Sequence, residues 1–160
     1  MAMAILDLGC GTGLCGTAVK SLASRIDGVD LSAPMLEKAR ELGIYDQLEE
    51  SDIIQYLYRC ENQYDTVIAG GLLEHIGDPV PLFTAAAFAL NPRGAFIVTA
   101  VDNRNDLVEV DDSCFYTHNE TVLRDAAAKT SLTTESIKRV ILRKDANNDV
   151  HGLLASFTHP

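Results

Sequence analysis

Basic residues are scarce in this chain: 13 lysines and arginines stand against 23 aspartates and glutamates in 160 residues, a formal charge of −10. A surface of that sign repels phosphate backbones and anionic headgroups, so neither nucleic acid nor membrane is an expected partner. The densest basic stretch, "IKRVILRK" at 137–144, alternates with apolar residues and reads as the exposed face of a strand. Cysteine is limited to Cys10, Cys15, Cys60 and Cys114, with no C-x-x-C pair, and no cleavable leader precedes the first strand. A reduced, cytoplasmic setting is therefore expected. No apolar run approaches the roughly 18 residues needed to cross a bilayer. Repeats and low-complexity tracts are also absent, which leaves one globular domain over residues 1–160.

What is present is an alternation of β-branched apolar segments with stretches of helical period, the pattern of βαβ units around a buried parallel sheet. Strands are expected at about 4–8, 25–29, 47–51, 65–70 and 95–101, with helices near 14–23, 33–43, 53–59 and 79–90 between them. Ser32 and Pro34 mark the start of the second helix and Gly43 its end. "NPRG" at 91–94 reads as a turn before the fifth strand. Beyond residue 101 the acidic "DNRNDLVEVDDS" reads as a loop or short hairpin, and Asn119 as the N-cap of another helix. The final segment holds two strand-like runs around "DANND", a β-hairpin. The expected fold class is α/β, a doubly wound, mostly parallel sheet closed by this hairpin.

The chemistry concentrates in "ILDLGCGTGLCGTAV", residues 5–19, which reads in two registers. Gly9, Gly11 and Gly13 form G-x-G-x-G, whereas Gly11, Gly13 and Gly16 form the G-x-G-x-x-G of dinucleotide sites. Asp7 separates the two. A carboxylate beside the loop repels a pyrophosphate but suits a ligand carrying an ammonium and a sulfonium. Gly16 is then a small residue of the first helix. Asp30 closes the second strand, where an acidic residue accepts hydrogen bonds from ribose hydroxyls, or else caps the helix after Ser32. Asp52 follows the third strand, where it could accept an adenine amino group or lie in solvent.

In order and separation, "ILDLGCGTG", "GVDLSAPMLEKAR", "SDI", "YDTVIAGGLLEHIGD" and "LNPRGAFIVTAV" resemble the motifs of class I S-adenosylmethionine-dependent methyltransferases. "YTH" with its following helix, and the closing "VHGLLASF", look most like methyltransferase domains attached to tetratricopeptide repeats. The resemblance implies a Rossmann-like, seven-stranded sheet whose last strand is antiparallel. It also implies that the cover helices such domains carry before the first strand are missing here, and that other domains attach to or associate with this one. It assigns S-adenosylmethionine as cofactor and a small molecule as methyl acceptor, a protein side chain being the second option. By position, the methionyl part falls to Asp7, Gly9, Gly11 and Gly13, and the ribose to Asp30. Leu31 and Met35 flank the adenine or belong to the core. Asp52 and the N–H of Ile53 face the adenine edge, and Gly70 to Leu72 lie beside the reactive methyl.

His75, in "GLLEHIGD", is the candidate general base, since an imidazole titrates near neutrality. The alternative makes Glu74 and His75 ordinary members of the following loop and helix. Similar "LEHxxD" segments occur in ubiquinone-pathway O-methyltransferases, and Glu74, His75 and Asp78 are metal-ligand types, but Gly71 replaces an acidic residue of those relatives, so no metal is expected. Tyr116 and His118 are acceptor-site candidates or surface packing groups. Cys10 and Cys15 read as packing residues. The rival functions are a nicotinamide-dependent oxidoreductase in the second glycine register, and a non-catalytic module that binds the cofactor without turnover.

Overall fold

A computed structural model describes residues 3–103, 109–110, 114–146 and 148–160. The first half repeats a strand-then-helix unit. β1 (Met3–Leu8) leads through the glycine loop to α1 (Leu14–Val19), and β2 (Ala23–Asp30) to α2 (Ala33–Glu41). β3 (Gln47–Glu50) leads to α3 (Ile53–Leu57), and β4 (Tyr64–Ala69) to α4 (Val80–Ala89). β5 (Leu90–Val101) follows, then β6 (Glu109–Val110), β7 (Tyr116–Thr117), α5 (Glu120–Ala128), β8 (Thr133–Asp145) and β9 (Asn148–Thr158).

Seven strands form one sheet in the order β3-β2-β1-β4-β5-β9-β8. β1 to β5 pair in parallel, β9 runs antiparallel to β5, and β8 runs antiparallel to β9. The order reverses between β1 and β4, and this is the switch point where open α/β sheets bind ligands beyond the strands' carboxyl ends. The expected fold class is the observed one.

Strand parity divides the core. Leu6, Leu8, Val67, Ala69, Phe96 and Val98 join a large cluster with residues of α3, α4 and α5, whereas Ile5, Ile26 and Ile68 form a small one with Cys15, Val19 and Tyr45. Phe83 of α4 stands edge-on to Phe96 and Phe157 at centroid separations of 5.1 and 4.9 Å, which ties α4 to β5 and β9. No helix of the described residues is long and apolar enough to cross a membrane.

Several expected boundaries move. The first helix ends at Val19, and a 3-10 turn at Lys20–Leu22 admits β2 earlier than expected. "NPRG" is a bulge within β5 rather than a turn before it: Arg93 adopts φ 64°, and the pairing with β4 jumps from Tyr64↔Leu90 to Thr66↔Ala95. Two bonds hold the bulge, Arg93 N–H to the His159 carbonyl at 3.0 Å and His159 N–H to the Gly94 carbonyl at 2.9 Å. Ser32 makes no side-chain cap bond, but Asn119 caps α5 as expected, its Oδ1 accepting the Val122 N–H at 2.9 Å. The acidic segment after β5 contributes β6, which pairs antiparallel with β7; residues 104–108 and 111–113 lie outside the described residues.

Phe157→Ala removes the ring shared by α4, β5 and β9. The expected loss, read by urea unfolding, is about 3–5 kcal/mol.

Candidate functional site

Gly9, Gly11 and Gly13 adopt φ of +60°, +53° and +93°, a region that side-chain-bearing residues enter only with strain. Alternating left-handed residues fold the chain between β1 and α1 into a shallow cradle, and Gly13 forms the N-cap of α1. Apart from its own chain neighbours, no atom of the described residues lies within 4 Å of where a Cβ at Gly11 would stand, so that backbone opens directly on space. Gly16 belongs to α1, has no positive φ, and is small because a side chain there would collide with the Tyr45 hydroxyl. The first glycine register is therefore the one that shapes the loop.

Asp7 lies beneath this loop and is 1% exposed. Its Oδ2 accepts both the Gly16 N–H at 3.0 Å and the Tyr45 hydroxyl at 2.7 Å. Burial raises its pKa to about 6, against the opposing pull of those two bonds; the Asp30 carboxylate adds a smaller upward push. Asp7 lines neither of the two cavities that flank the glycine loop.

Asp30 holds the loop from the next strand. Its Oδ2 accepts the Gly11 N–H at 2.9 Å, and its Oδ1 accepts the Ser32 N–H at 2.8 Å, so it fixes both the cradle and the entry to α2. Asp52 caps α3, its Oδ1 accepting the Gln55 N–H at 3.0 Å, and is not a solvated loop residue.

Two cavities open over the carboxyl ends of the strands. One, of about 630 Å³, has Asp30, Leu31, Met35, Asp52, Ile53 and His75 in its wall, with Asp78 completing its carboxylates and no lysine or arginine among the described residues. The other, of about 510 Å³, lies between the glycine loop and Gly70, Glu74, Thr99 and Arg143. They share Gly9, Gly11, Met35 and Gly71. Leu31 is 68% exposed and Met35 42%, so neither is a core residue; both offer apolar surface to the cavity. Gly13 lines neither cavity and acts through the turn.

His75 is exposed on the first cavity's wall, in a 3-10 turn (Leu73–His75), and meets Phe115 edge-on at 5.3 Å. Glu74 turns the other way. It is buried and receives Arg143 of β8 through two bonds, Nη1 to Oε1 at 2.6 Å and Nη2 to Oε2 at 3.1 Å. This bidentate pair joins residues 69 apart in the chain, which no local pattern signals. It also separates Glu74 from His75 and Asp78, and no three metal-ligating side chains gather among the described residues.

The acceptor-site candidates sit elsewhere. His118 is 0% exposed and Tyr116 packs against Gly77, where an added Cβ would stand 2.9 Å from the ring; neither lines the two cavities. His118 lies against the backbone of Ile76 and Gly77, and burial lowers its pKa. Both residues support the turn that carries His75 from behind. Cys10 and Cys15 line the second cavity, and burial pushes the Cys10 thiol up to about 12 and raises that of Cys15, which keeps both thiols protonated.

The family is shown by comparison. The profile of the methyltransferase domain family matches residues 6–96, more than half of the chain, and the chain belongs to that family. Among individual relatives, the ubiquinone biosynthesis O-methyltransferase of Aeromonas salmonicida (strain A449) is 30% identical over 105 residues, 63% of this chain and 44% of that protein. The chain spans less than half the length of the curated relatives it matches. Two crystal structures share the fold. An S-adenosylmethionine-dependent methyltransferase of Methanosarcina mazei superposes with a TM-score of 0.78 at 14% identity, over 99% of this chain and 92% of that one. The 1,6-didemethyltoxoflavin-N1-methyltransferase of Burkholderia thailandensis, holding 1,6-didemethyltoxoflavin and S-adenosylhomocysteine, gives 0.79 at 16% identity over 99% and 71%.

The Asp7 geometry fixes a pH dependence of stability. Its folded pKa of about 6 exceeds the ordinary 3.8, so the folded state holds the proton more tightly, and stability falls as pH rises from about 4 to about 6. Asp7→Asn keeps one acceptor oxygen for Gly16 and Tyr45 and removes the buried charge. Chemical denaturation across pH 4–8 should lose this slope, and stability at pH 7 should rise by up to about 3 kcal/mol.

Proposed function

We propose that this domain binds S-adenosylmethionine across the two joined cavities and directs its methyl group to a small-molecule acceptor. The observation that carries this reading is the charge of the site. Asp30, Asp52 and Asp78 line the larger cavity with no lysine or arginine beside them among the described residues, and Asp7 lies beneath the glycine loop. Such a wall repels a pyrophosphate and attracts an adenosine-bearing cation, which disfavours the nicotinamide alternative.

The residues present fit that cofactor. In this assignment Asp30 receives the ribose hydroxyls, and Leu31 and Met35 enclose the adenine with the apolar surface they now expose. Asp52 takes the adenine amino group on the oxygen not used by the cap, and the Ile53 N–H, one of the unpartnered first-turn donors of α3, faces a ring nitrogen. Gly9, Gly11 and Gly13, with Gly70, shape the methionyl side over Asp7. When bound, the cofactor supplies a methyl group on a sulfonium, already activated for displacement by an acceptor held in line. The protein then has to align the acceptor, exclude water and manage a proton. For a hydroxyl acceptor, His75 takes that proton as the carbon–oxygen bond forms. The O-methyltransferase relative supports a hydroxyl as the first acceptor class to test.

The finer likeness, to methyltransferase domains joined to tetratricopeptide repeats, rests on Tyr116–His118 and 150–157 and supports association with further domains. Four free cysteines support a reducing, cytoplasmic setting.

Calorimetry with S-adenosylmethionine, S-adenosylhomocysteine and NAD tests the reading. The two adenosyl-sulfur ligands should bind and NAD should not, and Asp30→Ala should weaken binding by about tenfold or more while the protein stays folded. Binding of NAD alone would refute the assignment. With a panel of small phenols, amines and thiols, His75→Ala should lower kcat on phenols by about 100-fold with cofactor affinity unchanged; binding without turnover on any acceptor would favour a non-catalytic module.

A further inference from the structure

Tyr45 has no part in the cofactor assignment, yet it meets Asp7 and the space left by Gly13, Gly16 and Gly28. Its hydroxyl donates to Asp7 Oδ2 at 2.7 Å, the same oxygen that accepts the Gly16 N–H. Its ring fills the slot left by three glycines: Cβ atoms added at Gly13 and Gly28 would stand 3.2 and 3.0 Å from it, and one at Gly16 would collide with it. The segment that carries it is pinned on both sides. Asp46 exchanges two bonds with Ile26 of β2, N–H to carbonyl at 2.7 Å and Oδ2 from the Ile26 N–H at 2.8 Å, and Lys20 Nζ donates to the Ile44 carbonyl at 3.1 Å. The phenol is therefore held in place independently of the loop it touches.

We propose that Tyr45 is a positioning residue for the cofactor loop: its hydroxyl holds Asp7 as an oriented, ionised carboxylate beneath Gly9–Gly13, and affinity for a cationic ligand follows the charge of that carboxylate. This rests on the reading of the site as one for S-adenosylmethionine. The groups facing Asp7 are Tyr45, Asp30 and the thiols of Cys10 and Cys15. The phenol and both thiols are raised by burial, and so stay neutral in the range where Asp7 titrates. Asp30 adds like charge. The Tyr45 bond opposes both burial and Asp30, so its loss makes Asp7 harder to ionise. Asp7 acts through the loop and the field rather than by lining a cavity, which makes it sensitive to this single donor.

The test is the pH dependence of S-adenosylmethionine affinity between pH 5 and 8, with the Asp7 titration followed by carboxyl carbon NMR on unliganded protein. In the native chain, affinity should weaken on the acid side with a midpoint near the Asp7 pKa. Tyr45→Phe keeps the ring in its slot and should move both the titration and the binding midpoint up by about one pH unit. Asp7→Asn should abolish the acid limb, and adding Tyr45→Phe to it should change nothing further. A Tyr45→Phe variant that weakens binding equally at every pH, or as much in the Asp7→Asn background as alone, shows a packing role and overturns the proposal. Native binding without an acid limb overturns the coupling but leaves the cofactor assignment standing. An Asp7 titration that shifts as expected in a protein that binds no cofactor at any pH overturns the assignment and the coupling with it.

Discussion

A carboxylate buried at the end of β1 is the constraint around which the site is organised. Asp7 is out of water, carries a pKa raised by that burial, and is satisfied on a single oxygen by the Gly16 amide of α1 and a phenol from a distant segment. Its position under the glycine loop explains why the residues around it are small. Gly13, Gly16 and Gly28 leave room for Tyr45, and Gly9 and Gly11 supply the left-handed turns that bring backbone rather than side chain to the cavities. A buried charge that destabilises the unliganded fold makes physical sense in a site whose ligand brings the opposite charge.

The sheet order turns this local arrangement into a binding surface. Because β1 is flanked by β2 and β4, the ends of adjacent parallel strands deliver Asp7, Asp30 and Gly70 to one edge, and β3 adds Asp52 at the start of α3. Asp30 couples two of these ends directly by accepting from Gly11 and Ser32. On the far side, β8 reaches back over β4's turn through the Arg143–Glu74 pair, so the closing hairpin is part of the second cavity's wall.

The features legible in the sequence were those written in local pattern. Strand–helix alternation gave the order of elements, and glycines at alternate positions gave the loop. Acidic residues at successive strand ends marked Asp30 and Asp52, both of which line the larger cavity. What escaped depends on distance along the chain. Tyr45 is 38 residues from Asp7 and Arg143 is 69 from Glu74, and neither partner carries a signal that names the other. Tyr116 and His118 read as acceptor-site candidates or packing residues, because a position after β5 does not fix side-chain direction. The structure packs them behind the His75 turn. The "NPRG" bulge was misread because proline and glycine signal a turn whether or not a partner strand absorbs it.

The measurement that bears most directly on the assignment is a crystal structure of the protein with S-adenosylhomocysteine. The expected result is one ligand spanning both cavities, with the adenine between Leu31 and Met35, the ribose on Asp30 and the amino-acid end over the Gly9–Gly13 loop. A ligand seated away from Asp30, or a loop that must unfold its left-handed glycines to admit it, would contradict that reading.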